Sequence, residues 1–260
     1  MRLENVLYEV KENIARITMN RPHPQTPNML DIPMWNDLQA ALDEAERDPE
    51  VRVVILAGAG GDFSRGWNMD SPYMKTPEGY AQWNTASAVR QTTLIKQQYE
   101  KLLYFPKPTI AKVEGRATTA GCNLQLFCDV AMAAENAKLG HEAMGGGGVD
   151  IAPWIFFLGP RKAKELWLTG RIIDGKEAER IGLVNRAVPA DKLEEEVWKE
   201  AKLMARVPTD EGEGHGMRLT KAYFNGAMKL MGFDNLFTYN LAFNAWGHAF
   251  LGKIPREPQK

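Results

Sequence analysis

Cysteine is scarce in this 260-residue chain, which contains only Cys122 and Cys128. Both are expected in or beside one predicted helix, where their side chains point in different directions and make poor disulfide partners. Neither has neighbours at metal-ligand spacing, so we expect two small buried hydrophobic side chains and no metal site. The absence of a disulfide framework favours a reducing, cytoplasmic setting.

An excess of charge of either sign is also missing. The net charge is -1 and the pI is about 6.5, which argues against a basic surface for nucleic acid or for an anionic membrane. No run of about 18 apolar residues occurs, and the first ten residues mix charged and apolar side chains. We therefore expect a soluble, unprocessed protein with no membrane partner.

Apolar residues are plentiful enough for a sizeable core. At 44% hydrophobic content, the chain fits one large domain with an appendage. We place the core at residues 1–208 and the appendage at 209–260, which starts with a polar, glycine-rich link. Residues 219–250 carry more apolar surface than a helical pair can hide, so this region is expected to pack against another subunit.

The order of the predicted elements indicates an α/β fold. Alternating apolar residues at 6–10 and 15–19 predict an opening hairpin. Asp31 is predicted to cap a helix that has Pro33 in its first turn, and a strand follows from Val51. Further patterns predict a helix within 77–103, a strand over 130–134, and helices over 161–169, after an Asp174 cap, and over 193–204.

The stretch 109–129 reads as a buried strand, a small-residue turn and a helix in direct succession. At a helix start the first N–H groups have no intrahelical partner, and the helix dipole adds partial positive charge. A bare turn at this point can hold an oxyanion, with the N–H of Ala120 as the expected donor. The ordinary alternative is a connection kept small for close packing.

A second stretch, 51–70, has a strand buried on both faces, a glycine break and then the run Phe63-Ser64-Arg65-Gly66-Trp67-Asn68-Met69-Asp70. This run resembles the first oxyanion segment of the enoyl-CoA hydratase/isomerase (crotonase) superfamily. Asn20-Arg21-Pro22 before it and the Gly-Cys-x-Leu run at 121–124 extend the resemblance over roughly residues 5 to 205 in the expected order.

The resemblance implies a spiral of ββα repeats with C-terminal helices that build trimers, which commonly pair into hexamers. It also implies a coenzyme A thioester as substrate and no permanently bound cofactor. The reaction would pass through a thioester enolate held by the N–H groups of Trp67 and Ala120, flanked by Gly66 and Gly121. The segment 182–185 resembles the closing strand of the family.

Other site residues are implied only by their place in this resemblance. Tyr80 and Trp83 lie in the region that covers the acyl pocket in the family, although a core-facing helix explains aromatic residues there equally simply. Arg21 and Arg65 are the expected neighbours of coenzyme A. Asn123 is expected to contact the substrate.

The chain departs from the hydratases at both of their catalytic glutamates. Asn123 occupies the first position and is neither an acid nor a base near neutral pH. An ungapped match of 139–143 to the second segment places Ala143 at the other position. Hydration by a glutamate pair is therefore not expected.

Three titratable residues remain near this position: His141, Glu142 and Asp150. A one-residue shift restores Glu142 to the second glutamate position, whereas Asp150 resembles the catalytic aspartate of dihydroxynaphthoyl-CoA synthases and ring-opening hydrolases. A histidine nine residues before an aspartate resembles the diketone hydrolases, whose histidine aligns better with Met144. Each residue also has a structural alternative: a hydrogen-bonding histidine, a surface glutamate, and an aspartate that ends the glycine tract.

Three functions fit these features. The first is an acyl-CoA-processing lyase, hydratase or isomerase with non-standard acid and base residues. The second is a hydrolase that cleaves a carbon–carbon bond of a β-dicarbonyl, either a cyclic diketone or a β-keto acyl-CoA, and the third is a catalytically silent binding protein. We favour the first because Asn20-Arg21-Pro22 is retained in a segment that borders the coenzyme A site in the family.

Overall fold

A computed structural model describes residues 3–68, 70–71, 85–142, 153–206, 215–236, 238–240 and 242–243. Tyr80, Trp83 and Asp150, three of the expected site residues, lie outside these ranges.

The chain opens with the predicted hairpin. Strands β1 (Val6–Lys11) and β2 (Ile14–Met19) pair antiparallel, with Lys11 opposite Ile14. The two turn residues, Glu12 and Asn13, have φ of 51° and 62°. A two-residue turn with positive φ at both positions matches the twist of paired strands, so it fixes their register.

Helix α1 (Ile32–Arg47) begins where the sequence predicts it. The Asp31 carboxylate accepts a hydrogen bond from the Met34 N–H at 3.1 Å, which satisfies one of the unpaired donors of the first turn. The buried face carries apolar residues at helical spacing and packs against the sheet: Met34, Trp35, Leu38, Ala41, Leu42 and Ala45.

The main sheet adds four strands to the hairpin: β3 (Val53–Gly58), β4 (Thr109–Val113), β6 (Val130–Ala134) and β9 (Arg186–Val188). It is therefore six-stranded, in the order β1-β2-β3-β4-β6-β9. Within this sheet, every described pairing other than that of the hairpin is parallel. Helix α2 (Thr85–Leu103) lies between β3 and β4 in the chain, and α6 (Leu193–Ala205) packs on β3 and β4.

A second, three-stranded sheet joins β5 (Arg116–Thr118), β7 (Lys138–Gly140) and β8 (Ile173–Asp174). The expectation of a plain small-residue turn before the helix at 120 was wrong here, because residues 116–118 form β5. A strand of three residues is too short to show an alternation pattern, so only its pairing with β7 reveals it.

The remaining core helices are α3 (Ala120–Leu126), α4 (Trp154–Thr169) and α5 (Gly175–Arg180). Asp174 caps α5 as predicted, by accepting from the Glu177 N–H at 2.9 Å. Helix α4 begins seven residues before the predicted start at 161 and contains a break at Gly159, where φ is 70°. Pro160 follows the break and could not continue the hydrogen-bond ladder.

The predicted closing strand at 182–185 was misplaced. Gly182 has φ of 82°, and the N–H groups of Leu183 and Val184 both donate to the Ala178 carbonyl, at 2.8 and 3.3 Å. These residues therefore form the turn that ends α5. Pairing with β6 starts only when the Asn185 N–H reaches the Ala131 carbonyl at 2.8 Å, and the strand is Arg186–Val188.

The described part of the C-terminal region consists of α7 (His215–Leu230) and short helical pieces after it. Lys221 anchors α7 through a 2.7 Å ion pair with Asp129 and a 3.1 Å bond to the Lys107 carbonyl. Large apolar side chains project outward from this region: Leu219, Tyr223, Phe224, Leu230, Met231, Tyr239 and Phe243.

Both cysteines are buried and free, as expected. Burial raises the pKa of each thiol to about 12, so neither is a thiolate near neutral pH. None of the helices in the described ranges is long and apolar enough to cross a membrane.

Candidate active site

Two backbone segments that the sequence singled out run side by side. The Ser64 N–H donates to the Arg116 carbonyl and the Thr118 N–H donates to the Ser64 carbonyl, each at 3.0 Å. The Thr119 hydroxyl adds a 2.7 Å bond to the Arg65 carbonyl. The pairing of Ser64 with β5 therefore brings both expected oxyanion segments to one place.

The Trp67 N–H is directed away from its neighbouring strand. Leu30 donates to the Gly66 carbonyl at 2.6 Å and accepts from the Asn68 N–H at 2.8 Å. In this parallel arrangement the residue between the two bonds turns its own N–H to the opposite side. Within the described ranges the Trp67 N–H donates to no acceptor.

The Ala120 N–H stands at the first position of α3. The N–H of Thr119, just before it, donates to the Gly140 carbonyl at 2.9 Å, and the N–H of Cys122, two residues after it, donates to the Thr119 carbonyl at 3.0 Å. The Ala120 N–H itself meets no acceptor among the residues that the structure describes. Thr119 has φ of 51° and ψ of -128°, a strained backbone for a β-branched residue and of the kind found at functional sites.

Two glycines allow these segments to approach closely. A Cβ atom on Gly66 would lie 1.6 Å from the Thr119 Oγ1 and 3.1 Å from the Ala120 nitrogen. A Cβ atom on Gly121 would lie 2.2 Å from the Ser64 carbonyl oxygen. Gly66 is thus a neighbour of the Ala120 N–H, and no other residue fits without moving the backbone.

The sequence profile of the enoyl-CoA hydratase/isomerase family matches residues 9–225. A relative from Thermus thermophilus is 33% identical over 240 residues, which cover 91% of this chain and 89% of the relative. The chain belongs to the enoyl-CoA hydratase/isomerase family.

A further relative and a solved structure support the same family. The crotonyl-CoA hydratase of Syntrophomonas wolfei is 32% identical, over 88% of this chain and 84% of that protein. The crystal structure of an enoyl-CoA hydratase/isomerase from Xanthobacter autotrophicus superposes with a TM-score of 0.83 at 30% identity, over 95% of this chain and 88% of that one. The α/β crotonase fold expected from the sequence is confirmed.

Asn123, which is expected at the position of the first hydratase glutamate, has a buried side chain. It is fully buried, and its Oδ1 accepts a 2.6 Å hydrogen bond from the Trp154 Nε1. No role was predicted for Trp154. Its one signal was a tryptophan next to a proline just beyond the glycine tract, a position that could not be connected to Asn123 without the fold.

His141 has a buried imidazole ring. It is 6% exposed and stacks on Trp167, with ring centroids 4.0 Å apart. Burial lowers the pKa of His141 to about 4, which makes it a weak base near neutral pH. Its Nδ1 has no hydrogen-bond partner among the residues that the structure describes. A catalytic role for His141 stays a prediction.

Glu142 lies beside the first oxyanion segment. Its Oε2 is 3.7 Å from the Nη2 of Arg65, and both side chains are partly exposed. Arg65 also donates to the Gln25 carbonyl, which links this pair to the loop after Arg21. The carboxylate and the expected coenzyme A neighbour are therefore ion-paired with each other.

The Arg21 guanidinium forms hydrogen bonds with neighbouring groups of this chain. Its two terminal nitrogens donate to the Asp31 carboxylate at 2.9 and 2.6 Å, and one also reaches the Met29 carbonyl at 2.7 Å. Burial alone would raise the pKa of Asp31, but the bonds from Arg21 and the Met34 N–H outweigh it and lower the pKa. Contact between Arg21 and coenzyme A stays a prediction.

Among the described residues, no group of three or more His, Cys, Asp or Glu side chains is placed to hold a metal ion.

Proposed function

We propose that this chain is an acyl-CoA-processing enzyme that stabilises a thioester enolate between the backbone N–H groups of Trp67 and Ala120. The observation that carries the proposal is the pair of outward N–H groups on segments joined through Ser64. Fixed donors of this kind meet charge that develops only in the transition state, and each is worth about 3 kcal/mol. Family membership supports the acyl-CoA class of substrate.

The acid and base residues are proposed to differ from those of a two-glutamate hydratase. Asn123 can bind water or substrate but cannot take a proton near neutral pH. One carboxylate, Glu142 or Asp150, then performs the proton transfer. A site with one carboxylate suits a substrate that needs a single base. Such a substrate is a β-hydroxyacyl or cyclic β-keto acyl thioester, whose α-proton is already acidic.

The test compares crotonyl-CoA hydration with turnover of such thioesters. We expect slow hydration, because one positioned acid or base contributes typically a hundred- to ten-thousandfold. Asn123→Glu should raise crotonyl-CoA hydration. On the true substrate, Glu142→Gln or Asp150→Asn should lower kcat at least a hundredfold, with His141→Ala as the comparison for the third candidate.

Two results would count against the proposal. Wild-type hydration as fast as that of efficient hydratases would show that no second glutamate is needed. Unchanged turnover of the true substrate in all three loss-of-group variants would remove Glu142, Asp150 and His141 as catalysts.

We further propose a cytoplasmic homotrimer or homohexamer that uses no permanently bound cofactor. The outward apolar face of α7 supports assembly, since such a surface is costly to leave in water. Binding of coenzyme A can be tested by thermal shift with acetyl-CoA and free coenzyme A, because a ligand of the native state raises the unfolding temperature.

A further inference from the structure

The backbone pairing between the two segments of the proposed oxyanion hole ends before it reaches either donor. The Thr118 N–H bonds to the Ser64 carbonyl at 3.0 Å, and within the described ranges no later backbone bond joins the two segments. Trp67 and Ala120 both lie beyond that point. The separation of their N–H groups therefore depends on contacts other than strand pairing.

Threonine hydroxyl groups make the next contacts between the segments. The Thr119 Oγ1 donates to the Arg65 carbonyl at 2.7 Å, and the Thr118 Oγ1 reaches the same oxygen at 3.3 Å. The shorter bond has the usual length of a good O–H···O hydrogen bond, whereas the longer one is weak. The Thr119 bond therefore links the segments within two residues of each proposed donor.

The Thr119 hydroxyl also occupies the space beside Gly66. A Cβ atom on Gly66 would lie 1.6 Å from the Thr119 Oγ1, so the oxygen is packed directly against this glycine. The next peptide group along the chain carries the Trp67 N–H. A shift of one segment against the other would break the hydrogen bond to Arg65 and open a gap at Gly66.

The backbone of Thr119 indicates that its position is fixed from several sides. Its φ of 51° and ψ of -128° are unfavourable for a β-branched residue. Such a conformation persists only where the surrounding contacts determine it. The Thr119 N–H donates to the Gly140 carbonyl, its carbonyl accepts from the Cys122 N–H, and its hydroxyl donates to the Arg65 carbonyl. The first two bonds fix Thr119 within its own region, and the third connects it to the other segment.

We propose that Thr119 is a positioning residue whose hydroxyl sets the separation of the Trp67 and Ala120 N–H groups. This inference rests on the proposed function. Thr119 acts through the backbone of the two segments and need not touch the substrate. Because the two donors act most strongly on an oxygen that carries negative charge, loss of the hydroxyl weakens the enolate far more than the neutral thioester.

The test measures how strongly the protein stabilises an enolate. Bound acetoacetyl-CoA can lose a proton between its two carbonyl groups, and the ultraviolet absorbance of the enolate, extrapolated to the time of mixing, follows this ionisation in a pH titration. The wild-type protein should lower the pKa of the bound ligand below that of free acetoacetyl-CoA, because the N–H groups favour the charged form.

Thr119→Val keeps the shape of the side chain and removes the hydroxyl. We expect it to lower the ionisation constant of bound acetoacetyl-CoA about tenfold, since a small misplacement of a donor costs less than its removal. Butyryl-CoA does not form this enolate, and its Kd should stay within about twofold of the wild type. A purely structural loss would reduce the amount of folded protein but not change the pKa of the ligand that is bound.

Three further variants separate the hydroxyl from the fold. Thr119→Ser restores the hydroxyl and should return the ionisation constant to within about twofold of the wild type. Thr119→Gly removes the hydroxyl and the backbone strain together, so it should fold even if Thr119→Val does not, with the same weakening. Thr93→Val is the matched control, because the Thr93 hydroxyl donates to the Val89 carbonyl at 2.7 Å within α2 and joins neither segment. It should leave the ionisation unchanged.

The possible failures are distinguishable. A wild-type protein that binds acetoacetyl-CoA without lowering its pKa, or does not bind it, would overturn the proposed function and this inference with it. A lowered pKa that persists in both Thr119→Val and Thr119→Gly would overturn only this inference. An equal effect of Thr93→Val would also overturn it, since the loss of any such hydrogen bond would then suffice.

Discussion

Gly66 is the residue that allows the two segments of the proposed oxyanion hole to approach each other closely. Gly66→Ala would press a methyl group against Thr119 and impose a strained φ of 107°. Gly61→Ala is the matched control, because its φ is 81° but nothing lies within 4 Å of the added carbon. We expect the control to lose about 1 kcal/mol of unfolding free energy from backbone strain alone.

Gly66→Ala should lose about 3 kcal/mol, since overpacking adds to the strain. It should also lose turnover of acyl-CoA substrate, because the segments must separate. Denaturant unfolding and steady-state kinetics check both expectations. Equal losses of unfolding free energy in the two variants would mean that glycine is needed at position 66 only for its positive φ.

The residues of the candidate site were partly predictable from the sequence. Small residues at 66 and 118–121 could be recognised because close backbone approach leaves a composition signal. The buried partners of Asn123 and His141 could not, since Trp154 and Trp167 reach them from α4 across the fold. Long-range side-chain contacts leave no periodic pattern in a single sequence.

Helix α6 is tied to the sheet by Glu194. Its carboxylate binds Arg16 on β2 and Lys112 on β4, the latter at 2.7 Å. Burial would raise the pKa of Glu194, but the bonds from Arg16 and Lys112 dominate and lower it to about 2. Because the folded pKa is below the unfolded one, this stabilisation is present above about pH 4.5 and is lost as the pH falls toward 2.

Glu194→Gln should therefore destabilise the protein at pH 7 and matter much less at pH 2.5. We expect about 1 kcal/mol at pH 7, discounted because the side chain is 46% exposed. Glu195→Gln is the control from the same turn, since its only ion pair, within the described ranges, is with Lys192 at 3.5 Å. A loss that does not depend on pH would contradict the linkage. Urea unfolding at several pH values measures it.

Elements were predicted well where a local chemical signal marked them. The hairpin, the capped start of α1 and the cap of α5 each depend on residues within one turn of the boundary. Strand β5 and the position of β9 were not foreseen, because both are defined by pairing with distant strands. An apolar run such as Leu183-Val184 is compatible with a strand and with a buried turn.

The outward apolar face of α7 bears on how whole molecules of this protein assemble. Leu219 and Tyr223 are each 71% exposed, one helical turn apart. We expect sedimentation to show three or six times the 29.2 kDa chain mass. Leu219→Glu should shift the protein toward monomer, because assembly would remove the charged carboxylate from water without giving it a partner.

Leu203→Glu is the control for surface charge. Leu203 is 58% exposed but lies on α6, on a different element from the proposed contact. This variant should sediment like the wild type. A wild-type monomer at micromolar concentration would rule out the proposed assembly.

The two outward N–H groups belong to the backbone of Trp67 and Ala120, and every amino acid except proline supplies such a group. Most point mutations at these positions therefore leave the donors in place. Side chains such as Asn123, three residues after Ala120 on α3, can change while both proposed donors stay in place. If these donors hold the thioester oxygen as proposed, single substitutions can exchange one reaction for another, and the enolate step common to them is inherited.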